Sequence, residues 1–280
     1  MSLDLDRRQR AMLQEMGVPV WLPLTVAKAT VARVVESPVD ASASSIGTAQ
    51  KVAVTEIPGQ PEIARSPEKA GPGDYAEMDW PRLQQSVANC QACKLGSGRR
   101  AAVFGASDAP RQADWLVLGE PPDESEESTG VPFAGPVGRL LDNMLKAVGV
   151  SRYGGSAAPV ARATAAYVTS VVKCRPAGVS NPGVEELAAC ENYLRREVAL
   201  VQPKVILALG RFAAQALLQS DLPAVASIPL GKLRGKIFRY QGVPVIVSYH
   251  PSYLLRTPQD KARAWADLCL ALEIVAPGDK

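Results

Sequence analysis

The stretch DWLVLGEPPDESEESTGVPFAGPVGRLLDNMLKAVG, residues 114–149, contains the pattern that decides the fold. Residues 114–120 form a short apolar run, which is typical of a strand buried on both faces. A loop rich in glycine, proline and acidic residues follows. Residues 135–149 then carry apolar side chains at helical spacing. The order strand, loop, helix indicates an α/β protein in which buried strands alternate with helices.

The same alternation continues towards the C-terminus. Further buried strands are predicted for residues 166–172, 204–210 and 243–250. Further helices are predicted to begin at Asn181-Pro182 and to cover residues 211–219 and 261–275. Residues 236–240 are expected to pair with 243–248 as an antiparallel hairpin across Gln241-Gly242. We therefore predict a three-layer α/β fold with a mostly parallel central sheet and helices on both of its faces.

The chain is predicted to divide into three parts. Residues 1–24 are expected to form a short helical segment, which is a candidate docking site for a protein partner. Residues 25–75 lack periodicity and are rich in alanine, valine, serine and proline, which predicts a flexible linker. Residues 76–280 are expected to form the α/β domain.

Composition narrows the class of protein. The chain is 47% hydrophobic and has a net charge of +3, which permits a large core and does not by itself indicate a nucleic-acid partner. It has no run of 18 apolar residues, so we expect no membrane partner. The N-terminus MSLDLDRRQRAM has charges where a signal peptide has apolar residues. We expect a cytoplasmic protein and a monomer.

Four of the five cysteines have a spacing typical of metal ligands. Cys90 and Cys93 form a C-x2-C pair, and Cys174 and Cys190 follow at a distance. Cytoplasmic thiols stay reduced, so such a pair more often binds metal or acts in catalysis than forms a disulfide. Four thiolates suit zinc and an iron–sulfur cluster equally well, and the spacing does not separate them. Buried free thiols are the remaining alternative.

Residues suited to chemistry follow the predicted strands. Glu120 ends the first strand, Cys174 follows the second, and His250, the single histidine of the chain, follows the last parallel one. Ligands of such sheets bind at the carboxyl ends of the strands. These side chains are therefore predicted to face a common cleft.

Several motifs together carry a resemblance to a known family: CQACKLG (90–96), GEPP (119–122), GVPFAGPVGRLLDNML (130–145), VTSVVKCRP (168–176), Cys190, VILALGRFAAQALL (205–218) and HPSYLLR (250–256). In this order and spacing, the segment from Cys90 to Leu272 resembles the iron–sulfur (family 4) uracil-DNA glycosylases. The resemblance implies an enzyme of DNA base excision repair that acts on single- or double-stranded DNA. It also implies a four-iron four-sulfur cluster bound by Cys90, Cys93, Cys174 and Cys190.

The resemblance also implies roles for the site residues. Phe133 would stack on the flipped base, His250 would stabilise the departing uracil anion, and Glu120 would orient the attacking water. Further contacts with the base or the DNA are implied for Pro121, Ser170, Leu254 and Arg256, with Leu254 as the wedge that replaces the flipped base. Additional phosphate contacts are expected from Arg99, Lys173 and Arg175.

The sequence departs from the family pattern at two positions of the site. Ser170 stands where the family has an asparagine that reads the uracil edge, and Asp123 stands where the family has a glycine. Two other classes of function therefore remain open. One is a non-catalytic or altered-specificity iron–sulfur DNA-binding protein of the same fold, and the other is a redox or zinc protein unrelated to DNA.

Overall fold

The computed structural model describes residues 74–105, 111–153, 165–178 and 181–276. The predicted helical segment 1–24 and nearly all of the predicted linker 25–75 lie outside these ranges. The described residues form helices and strands throughout the region in which the sequence predicts the α/β domain.

Five strands form one sheet within the described residues. Their bounds are Trp115–Gly119 (β1), Ala166–Ser170 (β2), Val205–Leu209 (β3), Ile237–Tyr240 (β4) and Val243–Ser248 (β5). The strand order is β2-β1-β3-β5-β4, and every pairing is parallel except that of β4 with β5. Gln241 and Gly242 both have positive φ, as a tight hairpin turn requires. The predicted hairpin is confirmed.

The helices alternate with these strands. The bounds in the first half of the domain are Trp80–Asn89 (α1), Lys94–Gly98 (α2), Glu124–Thr129 (α3) and Gly135–Ala147 (α4). Those in the second half are Val184–Val201 (α5), Arg211–Leu218 (α6), Leu230–Leu233 (α7), Pro251–Arg256 (α8) and Lys261–Val275 (α9).

The sheet separates two apolar cores, because successive residues of a strand face opposite sides. Leu116 and Leu118 of β1 pack against α5 and α6 on one face. Trp115 and Val117 pack against α4, α8 and α9 on the other. The predicted three-layer fold with a mostly parallel sheet is confirmed. No helix of the described ranges is long and apolar enough to cross a membrane.

Helices α1, α2, α3, α7 and α8 were not predicted, and α3 and α8 border the candidate site. The acidic loop after β1 contains α3, and the HPSYLLR motif contains α8. Asp123 has an ordinary φ of −91°, accepts a hydrogen bond from the Glu126 backbone N–H at 2.9 Å, and caps α3. A carboxylate in place of the family's glycine therefore does not obstruct this turn, because the turn does not need positive φ.

Candidate active site

The carboxyl ends of β1 and β3 lie side by side at the point where the strand order reverses. The chain passes from β1 to β2 on one side, and β3 and β5 continue the sheet on the other. A crevice forms at such a switch point because the two connections diverge from it. The residues that follow β1, β2, β3 and β5 surround this crevice.

Glu120 lies at the switch point and is held by the first residues of α6. Its Oε1 accepts the Phe212 N–H at 3.0 Å. Gly210, with φ of 103°, leaves the space for this carboxyl group, since a Cβ there would lie 2.0 Å from Oε1. Burial raises the pKa of Glu120 to about 7, although the backbone N–H groups and the charge of Arg211 favour the carboxylate. Glu120 therefore changes charge near neutral pH.

The Phe133 ring lies on the strand end rather than in solvent. Gly119 permits this contact, because a Cβ on Gly119 would lie 2.5 Å from the ring. The backbone of Phe133 has a φ of 55°, which is unusual for a residue other than glycine. Two side chains hold this turn: Glu126 accepts the Phe133 N–H, and Arg152 donates to the Pro132 carbonyl at 3.0 Å.

His250 faces the Phe133 ring, with ring centroids 5.1 Å apart and planes tilted by 31°. The imidazole Nδ1 accepts the Ser252 backbone N–H at 3.3 Å and lies 2.8 Å from the Ser252 hydroxyl oxygen. This arrangement places the proton of the neutral ring on Nε2. Burial, helped by the charge of Arg256, lowers the pKa of His250 to about 4. His250 is thus a neutral hydrogen-bond donor at physiological pH.

Ser170 completes the pocket on the β2 side. It is the last residue of β2, and its partner in the register is Gly119, on which the Phe133 ring lies. The Ser170 hydroxyl is buried and has no hydrogen-bond partner among the described residues. A buried hydroxyl without a partner is costly, so one that borders a pocket is suited to bind a ligand.

The prediction that Leu254 is the wedge is wrong for the conformation in this structure. Leu254 is fully buried among the residues that join α8 to α4 and α9, so it is not available to enter DNA. The next residue, Leu255, is 44% exposed. Arg256 is exposed, and Pro121 is half-buried next to Glu120.

Three of the side chains predicted to contact phosphate have other partners. Lys173 is buried and pairs with Glu197 at 2.7 Å. Arg99 donates to the Cys174 sulfur at 3.0 Å, and Arg175 pairs with Glu127 at 3.3 Å. Lys173 is therefore corrected from a phosphate contact to a buried structural cation.

Four cysteines lie in one region on the α5 side of the sheet. Cys90 ends α1, Cys93 begins α2, Cys174 follows β2, and Cys190 lies in α5. The pKa of the buried Cys190 thiol is raised to about 12, chiefly by burial, and the thiols of Cys93 and Cys174 are near enough to add to that rise. Burial likewise raises the pKa of Cys174, with smaller contributions from Cys93 and Cys90. Cys269 packs into the core of the opposite face.

Thiolates are donors that zinc and iron–sulfur clusters both take. Among the described residues, no group of three histidine, cysteine, aspartate or glutamate side chains lies close enough to share one metal ion.

The sequence did not reveal the supporting residues of the site. Glu126, Arg152 and Gly210 hold Phe133 and Glu120 in place, and none was predicted. The D-x-x-E pattern of Asp123 and Glu126 is a helix-capping signal that points to part of this arrangement. Arg152 and Gly210 act through contacts distant in sequence, for which a single sequence has no local signal.

The fold and the site together define an α/β protein with an aromatic ring, a neutral histidine and a carboxyl group at the carboxyl ends of its parallel strands. A model of the uracil DNA glycosylase superfamily matches residues 106–269. The chain is 34% identical over 197 residues to the type-4 uracil-DNA glycosylase of Pyrobaculum aerophilum, which covers 69% of this chain and 93% of the relative.

Two further relatives are similar over slightly shorter regions. The type-4 uracil-DNA glycosylase of Sulfurisphaera tokodaii is 33% identical over 182 residues, covering 63% of this chain and 76% of the relative. That of Archaeoglobus fulgidus is 32% identical over 181 residues, covering 63% of this chain and 83% of the relative. The chain belongs to the uracil-DNA glycosylase superfamily and, within it, to the type-4 family.

Proposed function

We propose that this protein is a DNA repair enzyme that flips uracil out of DNA and hydrolyses the bond between its N1 and the C1′ of deoxyribose. The observation that carries the proposal is the packing of His250 against Phe133 beside the unpartnered Ser170 hydroxyl, with Glu120 at the same end of the sheet. A base inside a duplex cannot reach such a pocket, so the nucleotide must leave the stack.

The leaving base is stabilised by a donor that is already in place. As the N1–C1′ bond breaks, uracil takes the electron pair, and the negative charge on N1 spreads to the carbonyl oxygens of the base, including O2. The Nε2–H of a neutral His250 donates to that charge. Because Ser252 fixes the other ring nitrogen, the donor needs no reorientation during the reaction.

Glu120 acts on the sugar side of the same bond. Deoxyribose becomes cationic as uracil departs, and a carboxylate stabilises that cation and orients a water molecule towards C1′. The water oxygen bonds to C1′, its proton passes to Glu120 or solvent, and the uracil anion takes up a proton after release. The pKa of about 7 leaves Glu120 ionised in mildly alkaline solution.

We infer that Cys90, Cys93, Cys174 and Cys190 hold a four-iron four-sulfur cluster. Support comes from their common location in the structure and from the similarity of the chain to type-4 uracil-DNA glycosylases. When bound, the cluster cross-links α1, α2, the end of β2 and α5. Cys174 lies four residues after Ser170, so this link also steadies the β2 side of the pocket.

An abasic-site assay tests the function. Purified protein is incubated with single- and double-stranded oligonucleotides that carry one uracil, and with matched oligonucleotides that carry thymine or cytosine there. Cleavage at uracil alone is expected after alkali treatment. A variant with both His250→Ala and Glu120→Gln, purified identically, controls for a contaminating glycosylase. DNA binding without cleavage of any uracil substrate would overturn the proposal.

A further inference from the structure

A buried ion pair lies directly behind the Ser170 end of the pocket. Lys173 and Glu197 are 1% and 0% exposed, and Lys173 Nζ lies 2.7 Å from Glu197 Oε2. The proposed reaction does not use either group. Neither side chain reaches solvent or the pocket, so the pair does not serve as a contact for DNA.

The Lys173 ammonium has an acceptor for each of its three protons. Besides Glu197, it donates to the Thr169 hydroxyl at 2.5 Å and to the Ser170 carbonyl at 3.1 Å. Glu197 Oε1 in turn accepts from the Thr169 hydroxyl at 3.0 Å and from the Tyr167 hydroxyl at 2.8 Å. The network therefore holds Thr169 and Ser170, the last two residues of β2, through contacts on the α5 side of the sheet.

The same strand end presents Ser170 to the pocket on the other side. Thr169 and Ser170 face opposite sides of the sheet because they are adjacent in a strand. The network holds the Thr169 side chain and the Ser170 carbonyl, and it leaves the Ser170 hydroxyl without a partner. Anchoring one side of the strand thus fixes the direction of the hydroxyl on the other.

A gain in stability does not by itself explain why Lys173 and Glu197 are buried as an ion pair. Taking two charges out of water costs much of what their attraction returns, and apolar residues of similar volume are often as stable or more so. An apolar pair, however, has no donor for the Ser170 carbonyl. The ion pair therefore differs from an apolar pair in that it holds the end of β2 in position.

We propose that Lys173 and Glu197 are positioning residues for base recognition, which hold the end of β2 so that the Ser170 hydroxyl meets the edge of the flipped base. The proposal rests on the function proposed above and adds the residues that set its selectivity. Small displacements of a group that must align with a ligand have large effects on recognition.

A double variant, Lys173→Met with Glu197→Leu, separates positioning from stability. It keeps the volume of the pair and leaves no unpaired buried charge, although the Tyr167 and Thr169 hydroxyls and the Ser170 carbonyl lose partners. We therefore expect a folded protein with a lower unfolding temperature and an unchanged iron content. The matched control is Arg195→Gln with Glu191→Gln, which removes the exposed ion pair of 2.7 Å on the same helix.

Selectivity is measured by equilibrium binding, with no turnover. Two oligonucleotides carry 2′-fluoro-2′-deoxyuridine or 2′-fluoro-2′-deoxycytidine at one position, because the fluorine slows loss of the base. The ratio of their dissociation constants should fall by about tenfold or more in the double variant and stay at the parent value in the control. Binding to undamaged DNA of the same length should be equal in all three proteins.

Two results would overturn the inference: a stable double variant that keeps the parent ratio, or a double variant that does not fold, since either makes the pair purely structural. Thr169→Val provides an independent measurement, because it keeps the ion pair and removes the hydroxyl that both partners bind. It should fold and lose selectivity by several-fold, and an unchanged ratio would also count against the inference. A parent protein without preference for uracil would instead refute the proposed function.

Discussion

At the scale of single residues, burial keeps His250 neutral, as the proposed reaction needs, and it moves the ionisation of Glu120 up to about pH 7. Burial disfavours charge on both groups, so it raises the pKa of the carboxyl group and lowers that of the imidazole. Above about pH 7 the site holds a carboxylate and a neutral imidazole. The first stabilises a cationic sugar, and the second donates to an anionic base.

The pH dependence of excision follows from these values. The single-turnover rate should rise as the pH increases through about 7, because Glu120 loses its proton there, and it should then level off. His250, with a pKa of about 4, should add no further change between pH 5 and 9. The rise should be absent from the slow residual activity of Glu120→Gln.

Glu126 also has a pKa raised to about 7 by burial, so the source of the rise needs a control. Glu126→Gln should alter the rate at all pH values through the Phe133 turn and keep the rise itself. A rate that falls as the pH increases through 7 would contradict the role given to Glu120.

The two leucines of α8 should differ in what their removal changes. Leu254→Ala empties a fully buried position and should cost about 2–5 kcal/mol of unfolding free energy. Leu255→Ala should leave stability nearly unchanged and weaken excision from double-stranded DNA more than from single-stranded DNA, because only a duplex leaves a gap to fill. Chemical unfolding and single-turnover assays on both substrates measure the two effects. Equal loss on both substrates would exclude Leu255 as the wedge.

At the scale of elements, the sequence predicts the strands and helices whose apolar pattern is long enough to show a period. The strand predicted at 204–210 is found at Val205–Leu209, and the helix predicted at 261–275 has the same bounds in the structure. Helix α3 was missed because its six residues, ESEEST, contain no apolar residue from which a period can be read. Its stability comes from the capping box of Asp123 and Glu126 and from Glu127, whose carboxylate accepts the Arg100 N–H at 3.0 Å and pairs with Arg175 at 3.3 Å.

The sequence predicts which residues lie at the candidate site, and it does not predict which way all of their side chains face. Glu120, Ser170 and His250 follow strands, and parallel strands bring their ends together whatever the details of packing. Which of Leu254 and Leu255 faces the core depends on the rotation of a six-residue helix, which the sequence does not define. The burial of Lys173 likewise depends on Glu197, a partner 24 residues away.

The position of the Glu120 carboxyl group should be sensitive to a methyl group on Gly210, the residue before α6. Gly210→Ala places a Cβ where Glu120 Oε1 lies, so the carboxyl group must move off the Phe212 N–H. Excision should fall by tens of fold, as for loss of Glu120 itself, while the protein stays folded. Gly149→Ala is the matched control, because Gly149 also has positive φ, at 75°, and no atom within 4 Å of an added Cβ.

Gly149→Ala carries the backbone cost of a left-handed alanine, roughly 1 kcal/mol. Gly210→Ala carries a larger cost, about 1–3 kcal/mol, because its φ of 103° and ψ of −179° lie in a region that only glycine adopts readily. The thermal midpoint should therefore fall further in Gly210→Ala, while the excision rate of Gly149→Ala stays near that of the parent. Full activity of Gly210→Ala would show that the position of Glu120 in the structure is not the one that matters for excision.

At the scale of the whole molecule, the proposed cluster would join parts of the domain that the sheet alone does not join. Cys174→Ala should abolish or sharply reduce iron and sulfide and lower the unfolding temperature, because it removes a ligand between the pocket and α5. Cys269→Ala should keep the parent iron content, since Cys269 packs on the opposite face of the sheet. Iron and sulfide analysis with visible absorbance tests both variants. Normal iron in Cys174→Ala would exclude the ligand set.

The apolar contacts of residues 75–87 indicate where the part of the chain that the domain needs for folding begins. The outermost apolar cluster includes Met78, Leu83 and Val87, which pack on Tyr193 of α5, and half-buried Tyr75 packs against it. A chain that begins at Asp74 retains this cluster, the sheet and all four proposed cluster ligands. We therefore expect it to bind as much iron as the full chain, to unfold cooperatively and to excise uracil at the same rate.

A chain that begins at Cys90 supplies the control. It keeps the four thiols and lacks α1, so the Tyr193 side of α5 loses its apolar cover and the Ser86 partner of its hydroxyl. We expect this shorter chain to unfold at a lower temperature and to lose iron more readily to a chelator. If the chain from Asp74 were insoluble or deficient in iron, residues 1–73 would be part of the folding unit, and the predicted linker of residues 25–75 would have to be abandoned.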